Sequence, residues 1–337
     1  MKDSKTPTAH PRTLSIGGAT YDLFVRTGPG VTEEDHGKKI LALPLGAKIR
    51  VEQVLETCGG GASNTAVGLS RLGCMAHFCG ILGSDQWGER MLKNFEKEGV
   101  NAKCATIVEG ETSSFSIILS SESGERVILY DPGTNAHLHD ANFDREHAAT
   151  MDWLYLNHIH ERSCVIEDDI VAILKKNPRI GLTWNPGGSQ LKTGIADASI
   201  RQLLAETDLL VCNKEEAMLF TGEKDTDTAI TTLLKLGVRV ACICDGRRGS
   251  IGADKDHRFH CPIRKDAPVI ETTGAGDAFG TGATYAMMQG LALPEILRAG
   301  TISAASVIGA IGAQAGLLTD IEMHKQLKDV RLDVEEQ

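Results

Sequence analysis

Aromatic residues are scarce in this sequence, and no pair of cysteines has the spacing of a metal or redox motif. Phe, Tyr and Trp make up 4% of the 337 residues, which argues against the stacking platforms that bind single-stranded nucleic acid. The nine cysteines include no Cys-x-x-Cys pair, so neither a zinc ribbon nor a disulfide framework is expected. We expect reduced thiols in the cytoplasm, packed mostly as small apolar side chains.

Long apolar runs and basic clusters are missing as well. No stretch approaches the roughly 20 apolar residues that a membrane-spanning helix needs, so no membrane partner is expected. The formal net charge is −10, which disfavours contact with the phosphates of a nucleic acid. Residues 1–12 are polar and contain no apolar run, so we interpret them as a disordered leader and not as a signal peptide.

The order of the apolar segments predicts an α/β fold. From residue 152 onward, short apolar strands alternate with helical patterns, which is typical of a mostly parallel sheet with helices on both faces. The predicted strands are Trp153–Leu156, Ile180–Trp184, Leu209–Cys212 and Val240–Cys244, preceded by a strand in the run Leu14–Ala19 and a buried strand at Met75–Ile81. The predicted helices are Ala62–Leu72, one capped by Asp85 that runs to about Glu98, Cys164–Lys176, Ala198–Glu206, Lys214–Phe220, Asp227–Leu236, Ala275–Gln289 and Pro294–Ile311. Residues 13–330 are expected to form one doubly wound domain, followed by a tail at 331–337.

Two β-rich stretches, at about 20–57 and 105–133, interrupt this alternation. Both consist of short strand-like pieces broken by Gly, Pro and charged residues, and the second begins with a predicted strand at Ala105–Val108. Although they lie far apart in sequence, they can pair as one small sheet over the carboxyl ends of the main strands. Such a sheet would form a lid over the ligand crevice of an open α/β fold.

The segment with the strongest chemical signal is ETTGAGDAF, which starts at Glu271 and opens the predicted helix Ala275–Gln289. Its glycines allow a ligand to approach the backbone closely. The free N–H groups of the first helical turn favour an anion such as a transferring phosphoryl group. Asp277 lies in that turn, where its carboxylate can accept a proton from an attacking hydroxyl. An ordinary helix start with an N-terminal aspartate is the competing interpretation.

A second glycine-rich segment, GGGASNTA, starts at Gly59 and enters the predicted helix Ala62–Leu72. Glycine at this place lets a substrate lie against the backbone, and the Asn64 amide can both donate to and accept from a pair of sugar hydroxyls. A plain Gly-rich turn before a helix is the alternative. Neither a Walker A loop nor a G-x-G-x-x-G fingerprint occurs.

Together these two segments resemble the signatures of the ribokinase-like (PfkB) carbohydrate kinase family, over roughly Leu14 to Leu318. The resemblance implies a ribokinase-like fold and an ATP-dependent transfer of phosphate to an alcohol group, with Mg²⁺ as cofactor. It implies that Asp277 is the catalytic base beside an anion hole of Gly274, Ala275 and Gly276, and that Asp22, Gly60 and Asn64 bind the substrate. It further implies that Asn213, Glu216, Gly246, Gly249 and Thr273 contact ATP or phosphate, with Glu216 placing Mg²⁺ through water.

Two positions depart from the family pattern. Glu271 stands where an aspartate usually helps to bind a monovalent cation, so dependence on K⁺ is open at this site. Cys244 stands where the nucleotide loop often has a threonine, and we expect Arg247 or Arg248 to replace the lost hydroxyl contact to phosphate.

The acceptor is left open by the sequence. A primary alcohol of a small sugar, as in ribokinase or fructokinase, is the first expectation, and a nucleoside or a phosphosugar is the alternative. Trp184 and Phe115 are candidates for stacking a nucleobase. Arg126, in the predicted lid, is the candidate for a phosphosugar, although a solvated arginine is the simpler interpretation. A non-catalytic sugar or nucleotide sensor on the same fold would not need Asp277. An exposed lid edge would allow a homodimer.

Overall fold

The computed structural model describes residues 10–27, 32–35, 38–120, 126–138, 143–159 and 165–337. Its strands are β1 Arg12–Ile16, β2 Thr20–Thr27, β3 Thr32–Asp35, β4 Lys38–Leu41, β5 Val51–Gly59, β6 Met75–Cys79, β7 Ile81–Gly83, β8 Thr106–Val108, β9 Phe115–Ser120, β10 Arg126–Asp131, β11 Trp153–Leu156, β12 Gly181–Trp184, β13 Leu209–Asn213, β14 Val240–Cys244, β15 Ser250–Ala253, β16 Arg258–Cys261 and β17 Glu335–Glu336. Its helices are α1 Gly61–Arg71, α2 Gln86–Lys97, α3 Arg145–Ala148, α4 Val165–Lys176, α5 Gly188–Thr193, α6 Ala198–Glu206, α7 Lys214–Thr221, α8 Thr226–Lys235, α9 Ala275–Met288, α10 Leu293–Val307 and α11 Asp320–Asp329.

The core of the fold is a nine-stranded sheet in the order β17-β16-β15-β14-β13-β12-β11-β1-β6. The six strands from β14 to β6 are parallel, and β15, β16 and β17 extend the sheet in antiparallel pairs. Strands β11 and β12 are buried along their whole length, as expected for a sheet that is covered by helices on both faces. The predicted doubly wound, mostly parallel α/β fold is confirmed.

Regular secondary structure within the described residues begins at Arg12 and ends at Glu336. Residues 1–9 of the predicted leader lie outside the described residues, and β1 already begins at Arg12. At the other end, β17 is formed by residues of the predicted tail and pairs with β16 at the sheet edge.

The predicted single strand Met75–Ile81 is two strands, β6 and β7, and Met75 at its start is 52% exposed.

The two interrupting stretches do pair as one small sheet, which we call the lid. Its strand order is β10-β9-β2-β5, with β2 antiparallel to β5 and parallel to β9. Strand β2 therefore joins the first stretch to the second, as the sequence predicted. The assignment of β8 to the lid was wrong, because β8 pairs in parallel with β7 in a separate two-stranded sheet.

One face of the lid rests on helix α2. The Tyr21 ring stacks on Trp87 with 4.9 Å between ring centroids, and the Arg90 guanidinium lies 5.5 Å from the centroid of each ring. Arg90 also donates to the Tyr21 hydroxyl and forms an ion pair with Glu56 of β5. Because side chains alternate along a strand, this contact turns the neighbouring Asp22 to the opposite face, towards the crevice.

Candidate active site

The candidate site lies where the lid meets the start of helix α9. Gly274 precedes this helix in the left-handed region, with φ 80°. A Cβ at Gly274 would lie 2.5 Å from the Cβ of Ala313, so only glycine fits there. Gly276, in contrast, is exposed, and a Cβ there would meet nothing within 4 Å. The first turn of α9 therefore leaves open space beside Gly276, as an anion site requires, whereas the N–H of Ala275 already donates to the Thr272 carbonyl at 3.3 Å.

Asp277 is held in this turn by a side chain from α1. The Asn64 Nδ2 atom donates to Asp277 Oδ2 at 2.8 Å. Burial raises the pKa of Asp277, the hydrogen bond from Asn64 lowers it, and the nearby charge of Glu216 raises it again. The net effect is a raised pKa, which makes the carboxylate a better proton acceptor than an ordinary exposed aspartate.

The glycines before α1 serve packing first. Gly60 has φ 89°, and a Cβ there would lie 2.6 Å from the Cα of Ala19. The Gly18 carbonyl accepts the N–H of Ala62 at 3.1 Å, so the turn after β1 locks onto the start of α1. This close approach places Asn64, which is only 3% exposed, directly beside Asp277.

Sequence reasoning missed the residue that contacts Asn64 from the other side. Gln314 Nε2 donates to Asn64 Oδ1 at 3.2 Å and to Ser63 Oγ at 2.9 Å. Gln314 lies in the segment between α10 and α11, which has neither helical nor strand periodicity. Only its glutamine between small residues, in Gly312-Ala313-Gln314, was available as a signal.

Asp22 is the second carboxylate of the crevice. It is 5% exposed, and burial raises its pKa to about 7, with a smaller upward effect from Glu271 and a lowering effect from its hydrogen bond with Ser116. A Cβ at Gly59 would collide with the Asp22 carboxylate. Asp22 thus lies between β9 and β5 on the inner face of the lid.

Glu271 links the lid to the start of α9. Its Oε1 atom accepts the backbone N–H groups of Thr272 and Thr273, both at 2.9 Å, and the Thr273 hydroxyl at 2.7 Å. Arg126 of β10 places Nη1 3.1 Å from the same oxygen and donates to the Thr272 hydroxyl. Arg126 is thus an exposed lid residue whose guanidinium pairs with Glu271. Among the described residues, the buried Oε2 atom of Glu271 has no hydrogen-bond partner.

Asn213 and Glu216 form a reciprocal cap at the start of α7. Asn213 Oδ1 accepts the Glu216 N–H at 2.8 Å, and Glu216 Oε2 accepts the Asn213 N–H at 2.8 Å. Burial raises the pKa of Glu216, with a further contribution from Glu215. The charge of Glu216 also raises the pKa of Asp277, which indicates that the two carboxylates lie near each other.

The predicted nucleotide loop follows β14 and contains two glycines with positive φ, Gly246 at 52° and Gly249 at 92°. A Cβ at Gly249 would collide with the carbonyl of Cys261. Arg248 donates twice to the Asp245 carboxylate, at 2.7 Å each. The Arg248 guanidinium is therefore already paired, whereas Arg247 lies exposed on the same turn.

One proposed base-stacking residue is excluded by its position. Trp184 is fully buried and packs edge-on against Phe220, with 5.5 Å between centroids. It cannot reach a ligand in the crevice.

Within the described ranges, no three His, Cys, Asp or Glu side chains gather as a ready-made metal cluster. None of the helices in those ranges is long and apolar enough to cross a membrane.

Comparison with known proteins gives a consistent result. The model of the pfkB family of carbohydrate kinases matches residues 35–320. A sugar kinase of Archaeoglobus fulgidus is 30% identical over 262 residues, covering 76% of this chain and all of the relative. A ribokinase of Haemophilus influenzae is 27% identical over 272 residues, covering 77% of this chain and 84% of the relative.

A solved structure shares the fold. The ribokinase of Arabidopsis thaliana, in complex with ribose and ATP, superposes with a TM-score of 0.76 at 22% identity. The match covers 95% of this chain and 99% of that one.

Proposed function

Because the chain belongs to the pfkB family of carbohydrate kinases and is a sugar kinase of the ribokinase type, we propose that it transfers the γ-phosphoryl group of ATP to a primary hydroxyl of a small sugar. The observation that carries this proposal is the position of Asp277 in an open first helical turn. The carboxylate takes the proton of the attacking hydroxyl, while the N–H groups of the same turn face the charge of the transferring phosphoryl group.

The sugar would be held by Asp22 and Asn64. Each has spare capacity for hydroxyl groups: the Asp22 carboxylate accepts, and the Asn64 amide retains one N–H and one lone pair beyond its contacts to Asp277 and Gln314. Gly60 contributes by allowing α1 to approach the turn after β1. The acceptor hydroxyl would then lie between Asp277 and the anion site.

Glu216 and Asn213 fit a role in binding Mg²⁺ with ATP. Glu216 is a partly buried carboxylate with one oxygen beyond its cap contact, and Mg²⁺ prefers oxygen ligands and retains water between itself and the protein. When bound, the ion would neutralise phosphate charge. Thr273, Gly246 and Gly249 would border the phosphates, although the Thr273 hydroxyl already donates to Glu271.

The site of the monovalent cation fits only in part. The unpaired Oε2 atom of Glu271 is the oxygen that K⁺ would take. Arg126, however, already places a positive charge 3.1 Å from Oε1. We therefore expect K⁺ to have a small effect on the rate.

The acceptor can be identified by ADP release from the wild-type protein with MgATP and panels of pentoses, hexoses, phosphosugars and nucleosides. Turnover with an unphosphorylated pentose or hexose supports the proposal. Turnover only with nucleosides or only with phosphosugars would show that the acceptor is not an unphosphorylated sugar, while the proposed phosphoryl transfer from ATP would stand. No turnover, together with a rise in melting temperature on adding a sugar, would favour the sensor function.

We also propose that the protein forms a homodimer through the lid. All six residues of edge strand β10 are exposed, including Val127, Ile128, Leu129 and Tyr130. An unpaired, apolar edge strand is a template for pairing with a second copy. Light scattering should give the dimer mass, and Leu129→Lys should shift it to the monomer; a wild-type monomer would refute the proposal.

A further inference from the structure

We propose that Gln314 is a positioning residue that fixes the side-chain amide of Asn64 and thereby keeps Asp277 ready to accept a proton. The proposal rests on the base role of Asp277 proposed above. Gln314 itself is only 7% exposed and contacts the side of the Asn64 amide that faces away from Asp277.

Each end of the Asn64 amide has its own partner. Its nitrogen donates to Asp277 Oδ2 at 2.8 Å, and its oxygen accepts from Gln314 Nε2 at 3.2 Å. If the amide turned over, its oxygen would face the Asp277 carboxylate and its nitrogen would face the Gln314 nitrogen. Both contacts would then be repulsive, so Gln314 makes the productive orientation the only satisfied one.

Gln314 can impose this orientation because it is fixed from its own far side. Asn94 of α2 donates from Nδ2 to Gln314 Oε1 at 2.9 Å. Arg71 donates to the Gln314 carbonyl at 2.8 Å and is itself paired twice with Glu98, at 2.8 and 2.9 Å. The backbone and the side chain of Gln314 are therefore both anchored to elements outside the crevice.

The result is a directed chain of three amides, Asn94 to Gln314 to Asn64, in which each nitrogen donates towards Asp277. Hydrogen bonds aligned in this way polarise one another. The last donor, the Asn64 amide, lowers the pKa of Asp277, whereas burial and the charge of Glu216 raise it. Without Gln314 the Asn64 amide is free to turn, and the Asp277 carboxylate loses both its donor and its fixed direction.

The matched test compares Gln314→Met with Gln190→Met. Gln190 is equally buried, at 5% exposure, and also donates to a carboxylate, Glu167 Oε1 at 2.9 Å, but on the far helix α5. Both variants lose a buried glutamine, so both are expected to lose some stability. If Gln314→Met does not fold, Asn94→Leu breaks the same chain one step further out, at a partly buried position.

The direct readout is the titration of Asp277, followed by NMR of protein labelled at the aspartate carboxyl carbon, with the signal assigned by its loss in Asp277→Asn. Gln314→Met should raise the pKa of Asp277 by about one unit, Asn94→Leu by less, and Gln190→Met by none. An unchanged Asp277 titration in both chain variants would overturn the proposal.

Kinetics then separate the proposal from the function on which it rests. With the acceptor that the screen identifies, Gln314→Met should move the acidic limb of the kcat profile upward by the same shift and leave KM for MgATP within about twofold. A shifted Asp277 titration without a shifted kcat limb would overturn the catalytic part of the proposal and place the error in the base role of Asp277.

Discussion

Replacing Asp22 with asparagine should raise the free energy of unfolding of the free protein and lower its affinity for the sugar. Asp22 is almost fully buried, and its pKa is raised from 3.8 to about 7, mainly by burial. In the unfolded chain the carboxyl ionises at an ordinary pH, so folding at neutral pH carries the cost of keeping this charge in a poorly solvated place. Asparagine has nearly the same shape and carries no charge.

The size and the sign of the effect follow from linkage. The pKa of Asp22 is higher in the folded protein than in the unfolded chain, so the protonated carboxyl stabilises the folded state. This stabilisation is complete below the unfolded pKa of 3.8 and is lost as the pH rises towards about 7. A shift of about three units corresponds to roughly 4 kcal/mol at pH 8 as an upper bound, since each unit is worth about 1.4 kcal/mol. At pH 5.5 only about half of that penalty has accumulated.

Urea unfolding of the wild type and Asp22→Asn at pH 5.5 and pH 8 measures this difference. Asp22→Asn should raise the free energy of unfolding at both values, and by about 2 kcal/mol more at pH 8. Asp85→Asn is the control, because the Asp85 carboxylate caps α2 and accepts from Gly88 and Ser113; its loss should destabilise the protein. A destabilised Asp22→Asn, or an equal gain at both pH values, would refute the account of Asp22.

Three further results are expected. Gly274→Ala should destabilise the protein by about 1–3 kcal/mol in urea unfolding because of its φ and its contact with Ala313; Gly276→Ala should leave the unfolding free energy within about 0.5 kcal/mol yet slow turnover at least about tenfold, and normal turnover would count against the anion site. Wild-type rates in K⁺ and in Na⁺ should agree within about threefold, whereas the rate of Arg126→Met should depend on K⁺. Equal rates in K⁺ and Na⁺ in that variant would show that the Arg126 charge does not replace K⁺ beside Glu271. Calorimetry should show sugar affinity falling about tenfold from pH 8 to pH 6 as Asp22 takes up a proton, and a constant affinity would contradict its role as acceptor.

The fold was largely predictable because its signals are local. The strands from Trp153 to Cys244 are short, apolar and buried on both faces, and helix α6 has the predicted bounds Ala198–Glu206, with Asp197 as its cap. The lid was predictable as β-rich, but strand pairing depends on contacts distant in sequence. For that reason β8 was assigned to the wrong sheet.

The site was predictable where a glycine must stand beside a functional residue, as at Gly274 before Asp277. It was not predictable where a buried polar side chain serves another one. Gln314 and Asn94 lie in segments without any motif. The two residues contact each other although they are 220 residues apart along the chain. The ion pair between Arg126 and Glu271 was not predictable, because nothing in the sequence of a six-residue strand reveals that this side chain reaches the segment before α9.

The most direct test of the central claim is the single-turnover rate of phosphoryl transfer in Asp277→Asn with saturating MgATP and acceptor. The account predicts a fall of about 10²-fold or more, the range for loss of a general base, with the affinity for MgATP nearly unchanged. A rate within a few-fold of the wild type, in a variant that binds both substrates, would contradict the assignment of Asp277 as the base.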